Sequence, residues 1–165
     1  MNPIAPELAT TPPTTASASP LELVCPAGSL PALKTAIDHG ADCVYLGFRD
    51  ATNARNFAGL NFDEKAIAQG IEYAHSRGRK VLVALNTYPQ AASPQLWQVA
   101  IDRAASAGVD AVILADPGLM AYAAKHQGIA EISAVEFGVA GGNGLVAMED
   151  VATAVTAATG VGVKV

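Results

Sequence analysis

The stretch "HGADCVYLG" (39–47) decides the fold, because it returns as "AGVDAVILA" (107–115), 68 residues further along the chain. Each copy has a glycine suited to ending a helix, then a small residue, an aspartate and an apolar run typical of a buried strand. Two β/α units in 68 residues correspond to about 34 residues per unit, close to the ~30 of an eight-fold β/α barrel. The repeat therefore predicts successive β/α units.

Outward from this repeat, apolar runs predict strands at 21–25, 42–48, 80–86 and 110–116. The runs are nearly continuous rather than alternating, which is typical of parallel strands covered on both faces. Helices are predicted after each strand, with Ser29, Asp63, Ser93-Pro94 and Pro117 at their starts. The fold class is α/β, with parallel units resembling the first half of a TIM-type barrel. A small open doubly wound sheet is the alternative; it suits the length but lacks a Gly-rich first turn.

Composition divides the chain into three parts. Residues 1–20 hold five of the ten prolines and predict a disordered Pro/Thr/Ser/Ala tail, and 21–126 form the β/α-repeat domain. Residues 127–165 are a divergent segment rich in Gly, Ala and Val, with strands expected at 131–137 and 161–165 and a helix at 147–159. The run "GVAGGNG" within it resembles a phosphate-binding turn, but without a lysine a flexible turn is favoured.

The overall composition excludes several classes of protein. The chain has 165 residues, is 51% hydrophobic and carries a net charge of −5, which is unlike an autonomous nucleic-acid binder. There is no apolar run long enough for a membrane span and no secretory signal, so we expect a cytoplasmic protein. Cys25 and Cys43 are expected to be buried free thiols, with a disulfide as the alternative, and two cysteines are too few for a zinc or iron–sulfur site.

Polar or special residues mark the carboxyl ends of four predicted strands, at 25–28, 48–61, 86–88 and 116. The carboxyl ends of parallel strands share one edge, where β/α barrels carry their sites. The richest of these segments is "RDATNARNFAGLNF" (49–62), whose arginine could clamp a carboxylate or phosphate. Capping, turn formation and anchoring of the loop by its phenylalanines remain the structural alternatives. The predicted ligand-binding residues are Asn53, Arg55, Asn56, Phe57, Asn61, Asn86 and Asp116.

A catalytic triad is not indicated, and the catalytic residues stay unassigned. His39, His75 and His126 fall at helix ends or on helix surfaces, on the side opposite the predicted mouth. Ser29 is better explained as a helix cap, and Cys25 has no evident base.

Two motifs carry a family resemblance. The segments "LELVCPAGSLPALKTAIDHGADCVYLGF" and "TNARNFAGLNFDE", followed by "ALNTY" and "AVILAD", resemble the N-terminal part of the collagenase-like protease family, one of the U peptidase families. The similarity covers about residues 21–126 and is greatest to the UbiU-like branch of that family.

This resemblance implies a barrel-type domain that supports oxygen-independent hydroxylation in ubiquinone biosynthesis, together with a UbiV-like partner protein and a small aromatic substrate. It also implies an iron–sulfur cluster held by four cysteines in the second half of the family's chain. Residues 128–165 lack that pattern, and Cys25 and Cys43 lie in the wrong half, so no cofactor is supported by this chain. We therefore expect a truncated protein that is inactive alone. A peptidase and a non-catalytic binding module or remnant are the alternatives.

Overall fold

A single parallel sheet organises the protein, and its strands follow one another in chain order. The computed structural model describes residues 21–125, 129, 131–134, 153, 156–157 and 163–164. The six strands of the sheet are β1 (Val24–Pro26), β2 (Cys43–Gly47), β3 (Lys80–Leu85), β4 (Ala111–Leu114), β5 (Glu131–Ala134) and β6 (Val163–Lys164).

Four helices connect the first five strands: α1 (Leu30–Asp38), α2 (Glu64–His75), α3 (Gln95–Ala107) and α4 (Pro117–Ala123). Ser29 and Asp63 cap α1 and α2 as predicted, each accepting a hydrogen bond from a backbone amide of the first turn. Pro94 occupies the N-cap position of α3 and offers no side-chain bond, so Ser93 does not cap this helix. None of the described helices is both long and apolar enough to cross a membrane.

Strand order separates the two predicted architectures. A doubly wound sheet reverses its strand order near the middle, whereas a β/α barrel adds each new strand beside the previous one. The described strands run from β1 to β6 without reversal. The barrel-type arrangement is thus confirmed as an open, partial sheet, and the doubly wound alternative is wrong.

The helices cover one face of this sheet. Right-handed connections between neighbouring parallel strands place successive helices on the same side. The strand residues on that side are fully buried against residues such as Leu33, Ile67 and Trp97 from the helices. Those strand residues are Val44, Leu46, Val81, Val83, Leu85, Val112 and Leu114.

The other face of the sheet is less enclosed. Tyr45, Leu82 and Ile113 alternate with the helix-facing residues and are only half-buried. The predicted first strand needs correction, because β1 spans Val24–Pro26 rather than 21–25 and is not buried. Among the described strands β1 pairs only with β2, so its other edge is open. Val24 at its start is exposed, and Leu21, three residues before the strand, is 99% exposed.

The repeated aspartates explain why the repeat recurs. Asp42 accepts a hydrogen bond from the amide of Leu23 (3.0 Å), and Asp110 accepts one from the amide of Val81 (2.7 Å). Each aspartate thus ties the start of its own strand to the strand before it. Arg79 pairs with Asp42, and His75 Nε2 lies 2.9 Å from Asp110 Oδ2. The repeat is a stabilising device at the amino ends of the strands, far along the sheet from the carboxyl ends.

Candidate functional site

The loop between β2 and α2, residues 49–62, lies where the carboxyl ends of β1, β2 and β3 meet. Its two ends run side by side, because the Phe62 amide donates to the Gly47 carbonyl (3.1 Å) and the Arg49 amide donates to the Phe62 carbonyl (3.3 Å). Such a loop with adjoining ends is an Ω-loop, a type that frequently carries function. Its sequence, rich in asparagine and arginine, therefore closes on itself at the mouth of the sheet.

A cavity of about 160 Å³ opens between this loop and the strand ends. Five of the seven predicted ligand-binding residues line it: Asn53, Arg55, Phe57, Asn61 and Asn86. The remaining wall is mainly apolar and includes Pro26, Ala27, Tyr45, Leu46, Leu60 and Ala84. The structure thus brings most of the predicted residues to one place.

Two of these asparagines are used to build the loop. Asn53 Nδ2 donates to Asn61 Oδ1 (2.9 Å) and to the Phe48 carbonyl (3.3 Å), and Asn53 Oδ1 accepts from the Arg55 amide (3.0 Å). Asn61 Nδ2 donates to the Arg55 carbonyl (2.9 Å). Their side chains are 7% and 9% exposed, so buried amide groups are satisfied by one another, as buried polar groups require. Asn53 and Asn61 form an amide lock that shapes the cavity.

The backbone around the lock also demands these residue types. Asn61 has φ of 73°, in the left-handed region that asparagine tolerates better than most residues. Its amide donates to the Gly28 carbonyl (2.8 Å), which joins the loop to the segment after β1. A Cβ on Gly47 would lie 2.1 Å from Asn53 Nδ2, so only glycine leaves room for the lock.

Arg55 and Phe57 form the open rim of the cavity. Arg55 Nη1 donates to the Tyr45 hydroxyl at 3.4 Å. Among the described residues, this hydroxyl is the one hydrogen-bond partner of the guanidinium. Phe57 is 61% exposed, and Leu60 beside it is also exposed. A guanidinium with most of its donors open can bind a carboxylate or phosphate in bidentate fashion, while the neighbouring apolar groups can cover a ring.

Asn86 has one group engaged and one available. Its Oδ1 accepts a hydrogen bond from the Ala54 amide (2.9 Å), which ties β3 to the loop. No residue of the described part of the chain accepts a hydrogen bond from its Nδ2. Because Asn86 lines the cavity, that amide is a donor available to a ligand.

Three polar or aromatic residues of the predicted mouth do not line the cavity: Asp116, Asn56 and Phe62. Asp116 accepts a hydrogen bond from the Leu119 amide (2.9 Å) as the cap of α4, and it does not line the cavity. Asn56 is exposed on the loop, outside the cavity wall. Phe62 is buried in the core beneath the loop, whereas Phe57 is the phenylalanine that faces outward.

Tyr45 is a cavity residue that sequence reasoning missed, and Thr87, although within the predicted mouth segment 86–88, was not among the predicted ligand-binding residues. Tyr45 lines the cavity because it lies two residues before Gly47 on β2, and alternate residues of a strand share a face. That period-two spacing back from the strand end could have identified it. Thr87 sits directly after Asn86 and contacts the loop rather than the cavity; no sequence signal distinguished it from a turn residue.

The described residues do not assemble a nucleophile and base. His39 Nδ1 lies 2.8 Å from the Thr35 carbonyl and His75 pairs with Asp110, both away from the cavity, while His126 lies outside the described residues. The Cys25 thiol makes no hydrogen bond among the described residues. No group of three or more His, Cys, Asp or Glu suited to a metal occurs in the described part of the chain.

The cysteines also fail to fit an iron–sulfur cluster. Cys25 aligns with Val44 and Cys43 aligns with Val24, so the two cysteines lie one register step apart on neighbouring strands. Because successive side chains of a strand point to opposite faces, Cys25 and Cys43 face opposite sides of the sheet. Both are free thiols as predicted, and they cannot ligate one cluster together.

Two phenols on the helices have raised pKa values. The hydrogen bond from the Tyr73 hydroxyl to Asp38 (2.6 Å), together with some burial, raises the pKa of this phenol. The hydrogen bond from Tyr122 to Asp102 (2.9 Å) raises the pKa of Tyr122 in the same way. Both phenols lie on helices, so neither marks a general acid or base at the loop.

A partial β/α sheet with a self-locked Ω-loop at its mouth defines a protein of the β/α-barrel class. The model of peptidase family U32 matches residues 28–135, and the chain belongs to this family. The resemblance to the collagenase-like proteases is thereby confirmed. The match includes every cavity residue except Pro26 and Ala27. The predicted tail 1–20 and the run at 138–144 lie outside the described residues.

Curated relatives agree with this assignment. The chain is 41% identical over 103 residues to an uncharacterized protease of Methanocaldococcus jannaschii, covering 62% of this chain and 25% of the relative. It is 39% identical over 105 residues to a tRNA hydroxylation protein P of Helicobacter pylori (64% and 25%). A collagenase of Porphyromonas gingivalis is 32% identical over 102 residues (62% and 24%). The chain thus spans about a quarter of the length of these relatives.

Among solved structures, a U32 peptidase superposes with a TM-score of 0.57 at 17% identity, covering 76% of this chain and 52% of that chain. At this identity the likeness concerns the fold alone. It agrees with a partial sheet of the barrel type.

Proposed function

We propose that this chain provides the substrate-holding mouth of a UbiU-like hydroxylation protein, binding the aromatic precursor ring of ubiquinone. The observation that carries the proposal is the cavity of about 160 Å³ with apolar walls, a guanidinium at its rim and an amide donor at its side. The relative named as a tRNA hydroxylation protein supports hydroxylation as the general class of reaction.

The size of the cavity suits one aromatic ring. A buried apolar cavity of about 150 Å³ can take up a benzene molecule. Tyr45, Phe57 and Leu60 supply apolar surface at the walls, where an aromatic ring gains from burial and offset stacking. A larger polycyclic ligand would have to displace the loop, which the amide lock opposes.

The polar groups suit a ring with an anionic substituent. Arg55 would hold a carboxylate, and Asn86 Nδ2 would donate to a ring oxygen. With these two contacts on different sides, the ring would have one orientation, and the carbon to be hydroxylated would face the opening. The chain's own role is therefore to bind and orient the ring.

The oxidation itself is assigned to another component. Cys25 and Cys43 cannot form a cluster site together, and the described residues hold no other metal-binding group. We propose that a UbiV-like partner, or further protein of the kind that makes up the rest of the longer relatives, supplies the redox centre. The chain alone would then bind the ring without converting it.

A base in RNA is the second candidate ligand, supported by the name of the Helicobacter pylori relative. A nucleobase is also a planar ring, and a phosphate would suit Arg55 as well as a carboxylate does. The net charge of −5 argues against strong RNA binding by this chain alone, because RNA affinity depends mainly on phosphate neutralisation. A peptidase activity has less support, since no nucleophile and base meet among the described residues.

The ring proposal can be tested by titrating the purified protein with 4-hydroxybenzoate, phenol and a short single-stranded RNA, using calorimetry or NMR. Wild type should bind 4-hydroxybenzoate. Arg55→Ala should weaken that binding roughly tenfold, as expected for a charge-assisted pair, and should leave phenol binding unchanged. Arg77→Ala, which removes a guanidinium that stacks on Tyr73, is the matched control.

Two outcomes would contradict the ring proposal. Binding of RNA but not of 4-hydroxybenzoate, with loss on Arg55→Ala, would favour the RNA base. Equal effects of Arg55→Ala and Arg77→Ala would remove Arg55 from the site.

Ubiquinone formation without oxygen, in cells that express the chain with its partner, then tests the biosynthetic role.

A further inference from the structure

Three hydrogen-bonded contacts join the first half of the Ω-loop to α3 and to the residues directly after β3. Arg103 Nη1 lies 3.2 Å from Asp50 Oδ2, the Thr87 hydroxyl donates to the Ala51 carbonyl (2.7 Å), and the Ala54 amide donates to Asn86 Oδ1 (2.9 Å). The three partners Arg103, Thr87 and Asn86 come from the next β/α unit rather than from the loop. The loop after β2 is thus held in place by α3 and by the two residues that follow β3.

The hydrogen bonds of Thr87 have a defined direction. Its oxygen accepts a hydrogen bond from Trp97 Nε1 (3.0 Å) on α3. A hydroxyl has one hydrogen, and because the indole N–H can only donate, that hydrogen must be directed to the Ala51 carbonyl. Trp97 is fully buried in the core. Thr87 therefore links a rigid core residue to the backbone of an exposed loop.

The segment 56–60, between Arg55 and Asn61, makes no such contact with a neighbouring unit among the described hydrogen bonds. Residues 56–60 are exposed, and their described backbone hydrogen bonds stay within the loop, from Phe57 to Arg55 (2.9 Å) and from Leu60 to Phe57 (3.1 Å). This segment carries Phe57 and Leu60 at the opening of the cavity. Its position consequently depends on the anchors on its two sides, which are Ala51 and Ala54 before it and Asn61 after it.

We infer that Thr87 is a positioning residue which, together with Asn86 and the amide lock, sets the place of Arg55 and the rim over the cavity. Thr87 acts through the loop backbone and does not line the cavity itself. In its consequence for a ligand this inference rests on the proposed function, whereas the control of the loop by Thr87 is independent of it.

The direct test is amide hydrogen exchange on Thr87→Val and Thr87→Ser. Valine has nearly the shape of threonine but neither accepts from Trp97 nor donates to Ala51, whereas serine keeps the hydroxyl. Thr87→Val should accelerate exchange of the Ala54 amide roughly five- to tenfold relative to the amides of β3. Thr87→Ser should remain within about twofold of wild type, as expected when the hydroxyl carries the effect.

A second pair of variants keeps the inference testable if valine at position 87 prevents folding. Asn86→Asp retains the oxygen that accepts from the Ala54 amide, whereas Asn86→Leu removes it. The Ala54 amide should stay protected in the first variant and lose protection in the second.

The ligand arm uses 4-hydroxybenzoate as the probe. In Thr87→Val the dissociation constant for 4-hydroxybenzoate should rise about fivefold, and in Thr87→Ser it should equal the wild-type value. If wild type does not bind the probe, the proposed function fails while the exchange measurement still decides the role of Thr87. Uniform acceleration across loop and strands, no acceleration, or equal behaviour of valine and serine would overturn the inference.

Discussion

The amide lock leads to a sharp prediction about Asn61. This residue combines two demands, a left-handed backbone with φ of 73° and a side chain that bonds on both sides. Replacing it with glycine removes the side-chain bonds and also the Cβ. Replacing it with alanine removes the same bonds but keeps a Cβ, in a backbone region that alanine tolerates less well than asparagine. The difference between the two variants therefore isolates the cost of the backbone conformation.

The magnitudes follow from the contacts. The Asn61 side chain accepts a hydrogen bond from Asn53 Nδ2 and donates one to the Arg55 carbonyl, each at 2.9 Å. Each of these bonds contributes about 1 kcal/mol to stability. Asn61→Gly should thus lower the free energy of unfolding by about 2 kcal/mol. Asn61→Ala should cost about 1 kcal/mol more, since the left-handed region is costly for a residue with a Cβ.

Urea unfolding followed by tryptophan fluorescence suits this measurement, because Trp97 is the only tryptophan and is buried in the core. For a domain of this size, 1 kcal/mol corresponds to a midpoint difference of about 0.5–1 M urea. Asn56 on the same loop is the matched control position, since it is exposed and lies outside the lock. Asn56→Gly and Asn56→Ala should both stay within about 0.5 kcal/mol of wild type.

The reasoning is refuted if Asn61→Gly is as destabilised as Asn61→Ala, because the positive φ would then carry no cost. It is also refuted if the Asn61 and Asn56 variants behave alike. In that case the lock would contribute nothing measurable to stability.

Three further predictions concern the same framework. Gly47→Ala should destabilise the protein by about 1–3 kcal/mol in urea unfolding, since its methyl would meet Asn53 Nδ2 at 2.1 Å; an unchanged midpoint would show that the lock shifts freely. Asp110→Asn should lower stability by about 1–2 kcal/mol, because it weakens a charged acceptor for a β3 amide, and an unaltered melting curve would contradict this. Asp38→Asn should lower the pKa of Tyr73 in a spectrophotometric titration, since the Asp38 hydrogen bond holds that pKa above its ordinary value; no change would assign the shift to burial.

Much of the site could be read from residue types at strand ends. The loop 49–62 was identified because polar residues follow an apolar strand, and parallel strands bring their carboxyl ends together. Five of the seven predicted residues do line one cavity. Their division of labour could not be read in this way. Asn53 and Asn86 are the same residue type, so the sequence does not distinguish their roles. In the structure Asn53 is enclosed in the amide lock, whereas the Nδ2 of Asn86 stays available to a ligand.

Asp116 shows the limit of the strand-end rule. The predicted strands 80–86 and 110–116 end at Asn86 and Asp116, so the two positions look equal in the sequence. In the structure β3 and β4 end in register at Leu85 and Leu114, so Asp116 lies one residue further beyond its strand than Asn86 does. Its carboxylate caps α4, because the helix begins at once and offers an unpaired amide. Thr87 shows the opposite error, since a residue with no distinctive signal joins the core to the loop.

The residue order alone determined the β/α units, their parallel direction, the caps of α1 and α2, and the family to which the chain belongs. These properties depend on local patterns: apolar runs, capping residues and a repeat that returns after 68 residues. Only the tertiary structure decided the strand order, the exposed edge at β1, and which asparagines hold the loop and which face the cavity. Those properties depend on contacts between residues far apart in the chain, and hydrogen-bond partners across such distances leave no periodic trace in the sequence.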